Sequence, residues 1–330
     1  MEQEHQDRHK GPDLVASLIR AAGRRTAPPE DAYLQVLGAA TAAFREKSTR
    51  RRQRTWLACA AAAGVAALAI ALMLQWNPAA TQPEVATVAR VFGTVELAVD
   101  GGWKPMTEAG GALVEGAMLR TLPGGSVALA LDGGASLRLA AATEVLLDGP
   151  RHVSLRAGTL YLDNAGSVGT GYRIETPAGT ARDVGTQFEL YVAGGNLRLR
   201  VREGRVQIDR AGNLLTGSAG EQLEIDVLGG VTRSQIPATD VAWQWVETVA
   251  PAPDIDGQSA TTLLVWVARE TGRQLRYESA VVEARAAAVI LHGNIRHLAP
   301  LAALDVMLAT TDLEYVLVGD TMEIRTRTEH

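Results

Sequence analysis

Residues 194–206 read GGNLRLRVREGRV, and this stretch indicates the fold of the largest region of the chain. Between Gly195 and Gly204, leucine and valine alternate with arginine, and a period of two residues is typical of a β-strand with one buried face. The glycines and asparagine before the run, and Glu203-Gly204 after it, favour tight turns. The stretch therefore predicts short strands that reverse at tight turns, each with an apolar face and a charged face.

Similar alternating runs recur across residues 84–235. They include Val85–Val91, Val127–Leu131 and Ser136–Leu139, and glycine-containing turn sequences separate them. Many short strands between tight turns are typical of a sandwich, a barrel or a solenoid rather than a parallel α/β sheet. We therefore predict an all-β domain over residues 84–235, with a solenoid-like or sandwich-like fold. The turn sequences include Asp100-Gly101-Gly102, Pro123-Gly124-Gly125, Asp132-Gly133-Gly134, Asp148-Gly149-Pro150 and Ala211-Gly212-Asn213.

An uncharged run separates this region from the N-terminal residues. No charged residue occurs from Thr55 to Pro83, and the 21 residues Trp56–Trp76 are rich in Ala, Leu, Val and Ile. A helix of that length spans about 31 Å, which matches a bilayer core of roughly 30 Å. The run therefore predicts one membrane-spanning helix over residues 56–76. A cleaved signal peptide and a buried core helix are the alternatives, although 55 preceding residues are atypical of a signal peptide.

The charges on the two sides of the run predict its orientation. An arginine cluster precedes it, and the first charged residue after it is Glu84. Because positive residues stay on the cytoplasmic side, we expect residues 1–55 in the cytoplasm and the C-terminal region in the periplasm. The expected location is thus the inner membrane, crossed once. The predicted membrane anchors are Trp56, Trp76, Arg50, Arg51, Arg52 and Arg54.

Residues 1–55 predict two short amphipathic helices, one over Leu14–Ala22 and one that opens at Pro28–Asp31. Each carries an apolar stripe, and so short a segment buries little core of its own. We therefore expect the stripes to bind a partner, with a loose tail as the alternative. The candidate partner-binding residues are Leu14, Leu18, Leu37 and Phe44.

The C-terminal residues predict a small α+β module over residues 254–326. Pro251-Ala252-Pro253 marks a linker before it, and Trp243 and Trp245 precede the linker as predicted packing anchors. The expected element order is β-α-β-β-α-β-β. Its clearest elements are a helix from Gln258 or Ser259 to Gly272, strands Gln274–Tyr277 and Val289–Ile295, a helix Pro300–Ala309, and a hairpin of Leu313–Val318 with Thr321–Arg325. The sequence as a whole thus predicts a multi-domain membrane protein.

Composition and motifs exclude several classes of protein. A net charge of −5 over 330 residues argues against a general nucleic-acid binder. The single cysteine, Cys59, can form neither an internal disulfide nor a cysteine zinc cage. The sequence has no Gly-Lys-Ser/Thr phosphate loop, no Gly-x-Ser-x-Gly elbow and no His-Glu-x-x-His pair. We therefore predict no enzyme, no cofactor and no metal site.

Three stretches carry a resemblance to a known family. They are Leu119–Ser126 (LRTLPGGS), Leu155–Tyr161 (LRAGTLY) and Ile174–Phe188 (IETPAGTARDVGTQF). Together they resemble the periplasmic part of the FecR family of transmembrane sigma-factor regulators, and the likeness extends over about residues 90–225. The positions that match the most specific motif are Thr176, Pro177, Gly179, Gly185, Thr186 and Phe188.

A second resemblance lies in the C-terminal module. Leu291–Ile295 followed by Pro300–Leu304 is similar to the short N-terminal domain shared by secretins and TonB-dependent receptors. The two resemblances imply a relay, in which the signalling domain of an outer-membrane receptor binds the outer domains. The cytoplasmic helices would then hold or activate an extracytoplasmic-function sigma factor. The alternative is an envelope binding or scaffold protein that has no sigma partner.

The family resemblance also implies a reaction at Gly185-Thr186. Some FecR relatives are cut at a Gly-Thr bond, where the threonine hydroxyl attacks the preceding carbonyl and water then cleaves the ester. The alternative is structural: Gly185 forms a turn, and Thr186 begins a strand that places Phe188 in the core.

Overall fold

The computed structural model describes residues 11–23, 29–32, 34–42, 83–106, 109–164, 171–183 and 185–327. The chain divides into two compact units, Met1–Thr81 and Gln82–His330. The predicted membrane span Trp56–Trp76 and its arginine cluster Arg50–Arg54 lie outside the described residues. Among the residues that are described, no helix is both long enough and apolar enough to cross a membrane.

The first unit contains helix α1, Gly11–Ala21, and further helical residues at 30–32 and 34–42. The helix α1 begins three residues before the predicted start, and Pro12 lies in its first turn, where a missing N–H is harmless. Two of the four candidate partner-binding side chains are described, and both are exposed: Leu18 by 63% and Leu37 by 49%. The side chain of Leu14 and all of Phe44 lie outside the described part.

The second unit opens with one curled, almost wholly antiparallel sheet, to which the described residues contribute seventeen strands. The predicted β-rich fold is thereby confirmed. The strands are β1 Glu84–Phe92, β2 Val95–Val99, β3 Gly102–Met106, β4 Ala112–Val114, β5 Ala117–Thr121, β6 Ser126–Leu131, β7 Ser136–Leu139, β8 Glu144–Gly149, β9 His152–Asp163, β10 Arg173–Thr176, β11 Gly179–Asp183, β12 Gln187–Ala193, β13 Asn196–Glu203, β14 Arg205–Arg210, β15 Asn213–Ser218, β16 Glu221–Ile225 and β17 Val231–Gln235.

The long strand β9 belongs to both halves of this sheet. Its residues 152–157 pair with β8 and β10, whereas its residues 158–163 pair with β7 and β12. Gly158 lies at the junction with a φ of +96°, and a Cβ there would lie 2.5 Å from the Cα of Thr143. Only glycine fits so close an approach. We call the half that contains β1, β4, β6, β7, β12, β13, β16 and β17 sheet A, and the half that contains β2, β3, β5, β8, β10, β11, β14 and β15 sheet B.

Sheet A and sheet B enclose one hydrophobic core. Val145 and Leu155 enter it from sheet B, Phe188 and Leu199 enter it from sheet A, and all four side chains are fully buried. The period-two pattern explains this, because every second residue of a strand faces the same side. Most strands pair with a strand one or three places away along the chain, as in β2–β5, β5–β8, β11–β14 and β13–β16.

The C-terminal residues of the second unit form a short helix and then an α+β module with its own core, which includes Leu264, Val267, Leu304 and Ile324. The elements are a 3-10 turn Val241–Trp243, α2 Gln244–Thr248, β18 Gln258–Ser259, α3 Ala260–Thr271, β19 Gln274–Tyr277, α4 Ala280–Ala288, β20 Ile290–Leu291, α5 Pro300–Leu308, β21 Leu313–Val318 and β22 Thr321–Thr326.

Two details of the predicted module are wrong. The strand expected over Val289–Ile295 is only two residues long, because Gly293 has a φ of +141° and the Asn294 side chain accepts a bond from the N–H of Arg296 at 2.8 Å. The helix α4 was not expected. The hydroxyl of Ser279 caps it by accepting the N–H of Val282 at 3.3 Å.

Candidate functional site

A row of charged and aromatic side chains crosses the outer face of sheet A. The strand register sets Arg138 beside Tyr161, Tyr161 beside Glu189, and Glu189 beside Arg200. Outward-facing residues of this kind ordinarily lie in water. Here Arg138, Tyr161 and Glu189 are each only 1% exposed. The middle of this outer face is therefore covered.

The segment after β17 provides part of the cover. Trp243 is fully buried, meets the ring of Tyr161 edge to face at 6.0 Å between centroids, and donates its indole N–H to the carbonyl of Pro237 at 3.0 Å. Trp245 donates its indole N–H to Oε2 of Glu189 at 2.8 Å. Both tryptophans thus pack against neighbouring groups in the manner that the sequence predicted.

The C-terminal end of α3 provides the rest of the cover through a buried ion pair. The guanidinium of Arg138 donates to both carboxylate oxygens of Glu270, at 2.7 and 2.8 Å, and to the carbonyl of Val246 at 3.0 Å. Burial alone would lower the pKa of Arg138, but the charge and hydrogen bonds of Glu270 outweigh burial and raise it. The pair is bidentate and desolvated, so removal of either partner leaves an uncompensated buried charge.

A second buried arginine binds the same helix end. Arg202 donates to the carbonyl of Glu270 and to the carbonyl of Ala238, each at 2.8 Å, and lies over the ring of Trp243 at 5.3 Å. Its Nη2 is 3.5 Å from the carboxylate of Glu247. Burial raises the pKa of Glu247 more than Arg202 lowers it, so the ionised form of Glu247 is disfavoured there.

A third ion pair connects α3 to the end of β9. Arg269 donates to the two carboxylate oxygens of Asp163 at 2.9 and 2.5 Å. Burial alone would lower the pKa of Arg269, but the hydrogen bonds and the charge of Asp163 outweigh burial and raise it. Asp163 also accepts from the side-chain amide of Gln187 at 3.2 Å, and Gln187 follows Thr186 directly. We call Arg138, Arg202, Glu270, Arg269 and Asp163 the charged clamp.

The family-motif residues at the turn between β10 and β11 support the fold. The hydroxyl of Thr176 donates to the carbonyl of Gly179 at 2.7 Å and accepts the N–H of Ala178 at 3.1 Å, so it holds the turn between β10 and β11, in which Pro177 lies. Gly179 has a φ of +141°, and a Cβ there would approach the carbonyl oxygen of Asp209 to 2.8 Å.

The Gly185-Thr186 corner is also positioned by side chains. Gly185 has a φ of +68°, and Thr186 is fully buried. The hydroxyl of Thr186 donates to Oδ2 of Asp183 at 3.4 Å, and its carbonyl accepts the N–H of Asn164 at 2.9 Å. The amide of Asn164 donates to the same Oδ2 at 2.7 Å. This geometry favours the structural role of Thr186: Gly185 is exposed, but the buried hydroxyl and carbonyl of Thr186 hold the corner through Asp183 and Asn164.

We therefore expect the purified, protease-free full-length chain to remain intact. Denaturing electrophoresis and intact-mass spectrometry over several days provide the measurement. Cleavage between Gly185 and Thr186 would give two fragments. If these fragments were present in the wild type and absent from Thr186→Ala, they would instead establish attack by the hydroxyl. Fragments that persist in Thr186→Ala would point to a contaminating protease.

Sequence reasoning did not single out the clamp. The alternating pattern marks Arg138 and Arg202 only as polar positions of strands, and no sequence pattern singles out Glu270. One signal was available, since the chain has 29 arginines and 3 lysines. Arginine is the preferred cation for buried, bidentate pairs with carboxylates, so this imbalance indicates such pairs without locating them.

The fold and this site define a class of protein: a two-sheet β domain whose outer face is covered by a C-terminal α+β module. Residues 117–207 match the model of the FecR protein family. The chain therefore carries a FecR domain, and the resemblance noted in the sequence is confirmed over these residues.

Solved structures give a weaker comparison. Two crystal structures of a candidate anti-sigma factor from Parabacteroides distasonis, at 2.50 and 1.65 Å resolution, are 14% identical to this chain, with TM-scores of 0.35 and 0.36. The alignments cover 64% of this chain and 99% of each solved chain. No curated protein matches the sequence at a significant level.

Proposed function

We propose that this chain is an anti-sigma regulator of the inner membrane, which relays a signal to a cytoplasmic extracytoplasmic-function sigma factor. The observation that carries the proposal is the FecR domain at residues 117–207. The family that these residues resemble regulates sigma factors across a membrane. On the periplasmic side, the proposed partner is the signalling domain of an outer-membrane TonB-dependent receptor.

The N-terminal helices support a protein contact on the cytoplasmic side. Leu18, Ile19, Leu34, Val36 and Leu37 are all large apolar side chains, and each is at least 49% exposed. Leaving such side chains in water forgoes roughly 1.5–3 kcal/mol per residue relative to full burial. An amphipathic helix that presents such a face is typical of helix-in-groove recognition. A sigma factor is the partner that the FecR domain implies.

The membrane arrangement rests on the sequence. The uncharged run Trp56–Trp76 separates the proposed sigma-binding segment from the FecR domain, and the preceding arginines support a cytoplasmic location for the N-terminal side. A single pass would connect the two proposed contacts within one chain.

A double substitution tests the sigma contact. In the full-length chain, Leu18→Asp with Leu37→Asp should weaken binding of the cognate sigma factor at least tenfold, because a charge buried without a partner costs more than the ~1.4 kcal/mol that a tenfold change represents. Co-purification from the native host, with the captured sigma factor identified by peptide mass spectrometry, finds the partner. Titration with that purified sigma factor gives the affinity.

The matched control is Gln35→Asp. Like Leu37→Asp, it adds one negative charge to the helical segment 34–42, but at a position about 200° around the helix from Leu37. Its affinity for the sigma factor should equal that of the wild type. Equal binding by the double variant would exclude this face as the contact. If the full-length chain captures no sigma factor, the result would favour the alternative of an envelope scaffold protein.

A further inference from the structure

We propose that the C-terminal module is a detachable unit, which the charged clamp holds on the outer face of sheet A and which can leave that face while remaining folded. This inference concerns the second unit alone and does not depend on the identity of any partner. It follows from where the hydrophobic cores lie, from the chemistry of the contact, and from a cleft at the junction.

The module has the means to stay folded after it leaves. Its core, around Leu264, Val267, Leu304 and Ile324, shares no residue with the core between sheets A and B. A third cluster joins Trp243 and Val246 to Tyr161 of sheet A. The helix α2 therefore belongs to the sheet, whereas Ala250 already packs in the core of the module. The change from one cluster to the other occurs between Val246 and Ala250, and we assign the hinge to these residues.

The contact between the module and the sheet contains a network of ion pairs and hydrogen bonds. Glu270 and Arg269 bind Arg138, Arg202 and Asp163 through the charged clamp. At the other side of the face, Arg90 donates to the carbonyl of Ala250 at 2.9 Å. Polar contacts of this kind are typical of domains that move relative to one another. When the module leaves, water can solvate these charged groups and so offset part of the free energy lost with the contacts. Apolar surfaces would gain nothing comparable from water.

The junction is also incompletely filled. A cleft of about 360 Å³ lies between the β6–β7 hairpin and α3, and its lining includes Gly134, Ser136, Arg138, Trp266 and Arg269. The cleft is open to solvent, and the side chain of Arg269 on its lining is 38% exposed, so water already borders the clamp on this side.

Undocking would change the outer face of sheet A in a defined way. Arg138 would lose its carboxylate partner Glu270, and Arg202 would lose the carbonyl of that residue. Asp163 would lose Arg269 while still accepting from Gln187, the residue after Thr186. The docked and undocked states therefore differ in the charge presented by the face and in the support of the Gly185-Thr186 corner.

The test measures the distance between the sheet and the module in the full-length protein, purified in mild detergent. Spin labels are attached at Glu115→Cys and Val281→Cys, both exposed sites, in a Cys59→Ala background. The wild-type clamp should give one narrow distance distribution. Glu270→Gln should increase the population of longer distances at least tenfold, because the neutral amide cannot compensate the buried charge of Arg138.

The matched control is Glu278→Gln, which makes the same change at an exposed position of the same module and should keep the single narrow distribution. Arg269→Gln provides a second variant of the clamp, at a side chain that is less buried than Glu270. It should also increase the population of longer distances. Amide hydrogen exchange of β21 and β22 reports whether the module stays folded, and their protection should equal that of the wild type. An unchanged distance distribution in both clamp variants would overturn the proposal, as would longer distances that appear only together with lost protection of β21 and β22.

Discussion

Replacing Trp243 with alanine should lower the free energy of unfolding of the second unit by about 3–5 kcal/mol, the usual cost of deleting a fully buried large aromatic side chain. The ring is fully buried, packs on Tyr161, and lies in one cluster with Val246. Its deletion leaves a cavity beneath α2 and removes one of the two hydrogen bonds that the carbonyl of Pro237 accepts, the other coming from the N–H of Asp240. Urea denaturation of the full-length chain, followed by far-ultraviolet circular dichroism, gives the measurement.

Trp103→Ala is the matched control for this effect. Trp103 is only half-buried on β3 and meets the guanidinium of Arg120 at 4.2 Å from its ring centroid. Such an exposed cation–π contact contributes about 0.5–1 kcal/mol, so the loss should be correspondingly small. Equal losses in the two variants would contradict the assignment of Trp243 as a packing anchor of the covered face.

The second large effect is expected at Phe188, in the core between sheets A and B. Phe188→Ala should lower the free energy of unfolding by about 3–5 kcal/mol, because the side chain is fully buried and neighbouring strands leave little room for collapse. The same variant tests whether this motif position serves the fold. The urea midpoint should shift at an unchanged m-value if the mutation changes stability alone.

Phe92→Ala is the control for Phe188. Phe92 is half-buried at the end of β1, where the guanidinium of Arg90 lies 4.6 Å from its ring centroid. Its replacement should cost less than half as much as that of Phe188, since much less apolar area returns to water. A midpoint for Phe188→Ala that matches the wild type would show that Phe188 does not support the core.

The sequence predicts the inner face of the sheet well for a simple physical reason. In β13, leucine and valine at every second position must face one side, and the structure places Leu197, Leu199 and Val201 in the core. The glycine-rich turns that flank this strand are equally local signals. Local patterns of this kind depend on the geometry of the strand alone, so they need no knowledge of the rest of the fold.

The outer face could not be predicted in the same way. Arg138 and Arg198 occupy equivalent alternating positions, yet Arg138 is 1% exposed and the side chain of Arg198 is 28% exposed. The difference arises from α3, whose Glu270 lies 132 residues away from Arg138 along the chain. A pattern with a period of two is the same whether water or another element covers the charged face. Local sequence patterns therefore do not predict the clamp.

The helix α4 was missed for a related reason. Its sequence, AVVEARAAA, carries two adjacent β-branched valines and only a weak apolar stripe. Val282 and Ala286 alone are buried along it, so the signal for a helix is confined to a short motif around Ser279. Packing against the rest of the module determines this element more than local pattern does.

The pairing of strands one or three places apart along the chain determines where the β domain unfolds locally. In such a domain each strand contacts mainly the strands next to it. Cooperativity therefore runs mainly along the row of strands, and loss of order begins at the ends of the row. The ends of sheet A are β4 and β17, whereas β7, β9, β12 and β13, which carry the covered face, occupy its middle. Fraying at either end would leave the platform under the C-terminal module intact, so that platform is the last part of the sheet to be lost.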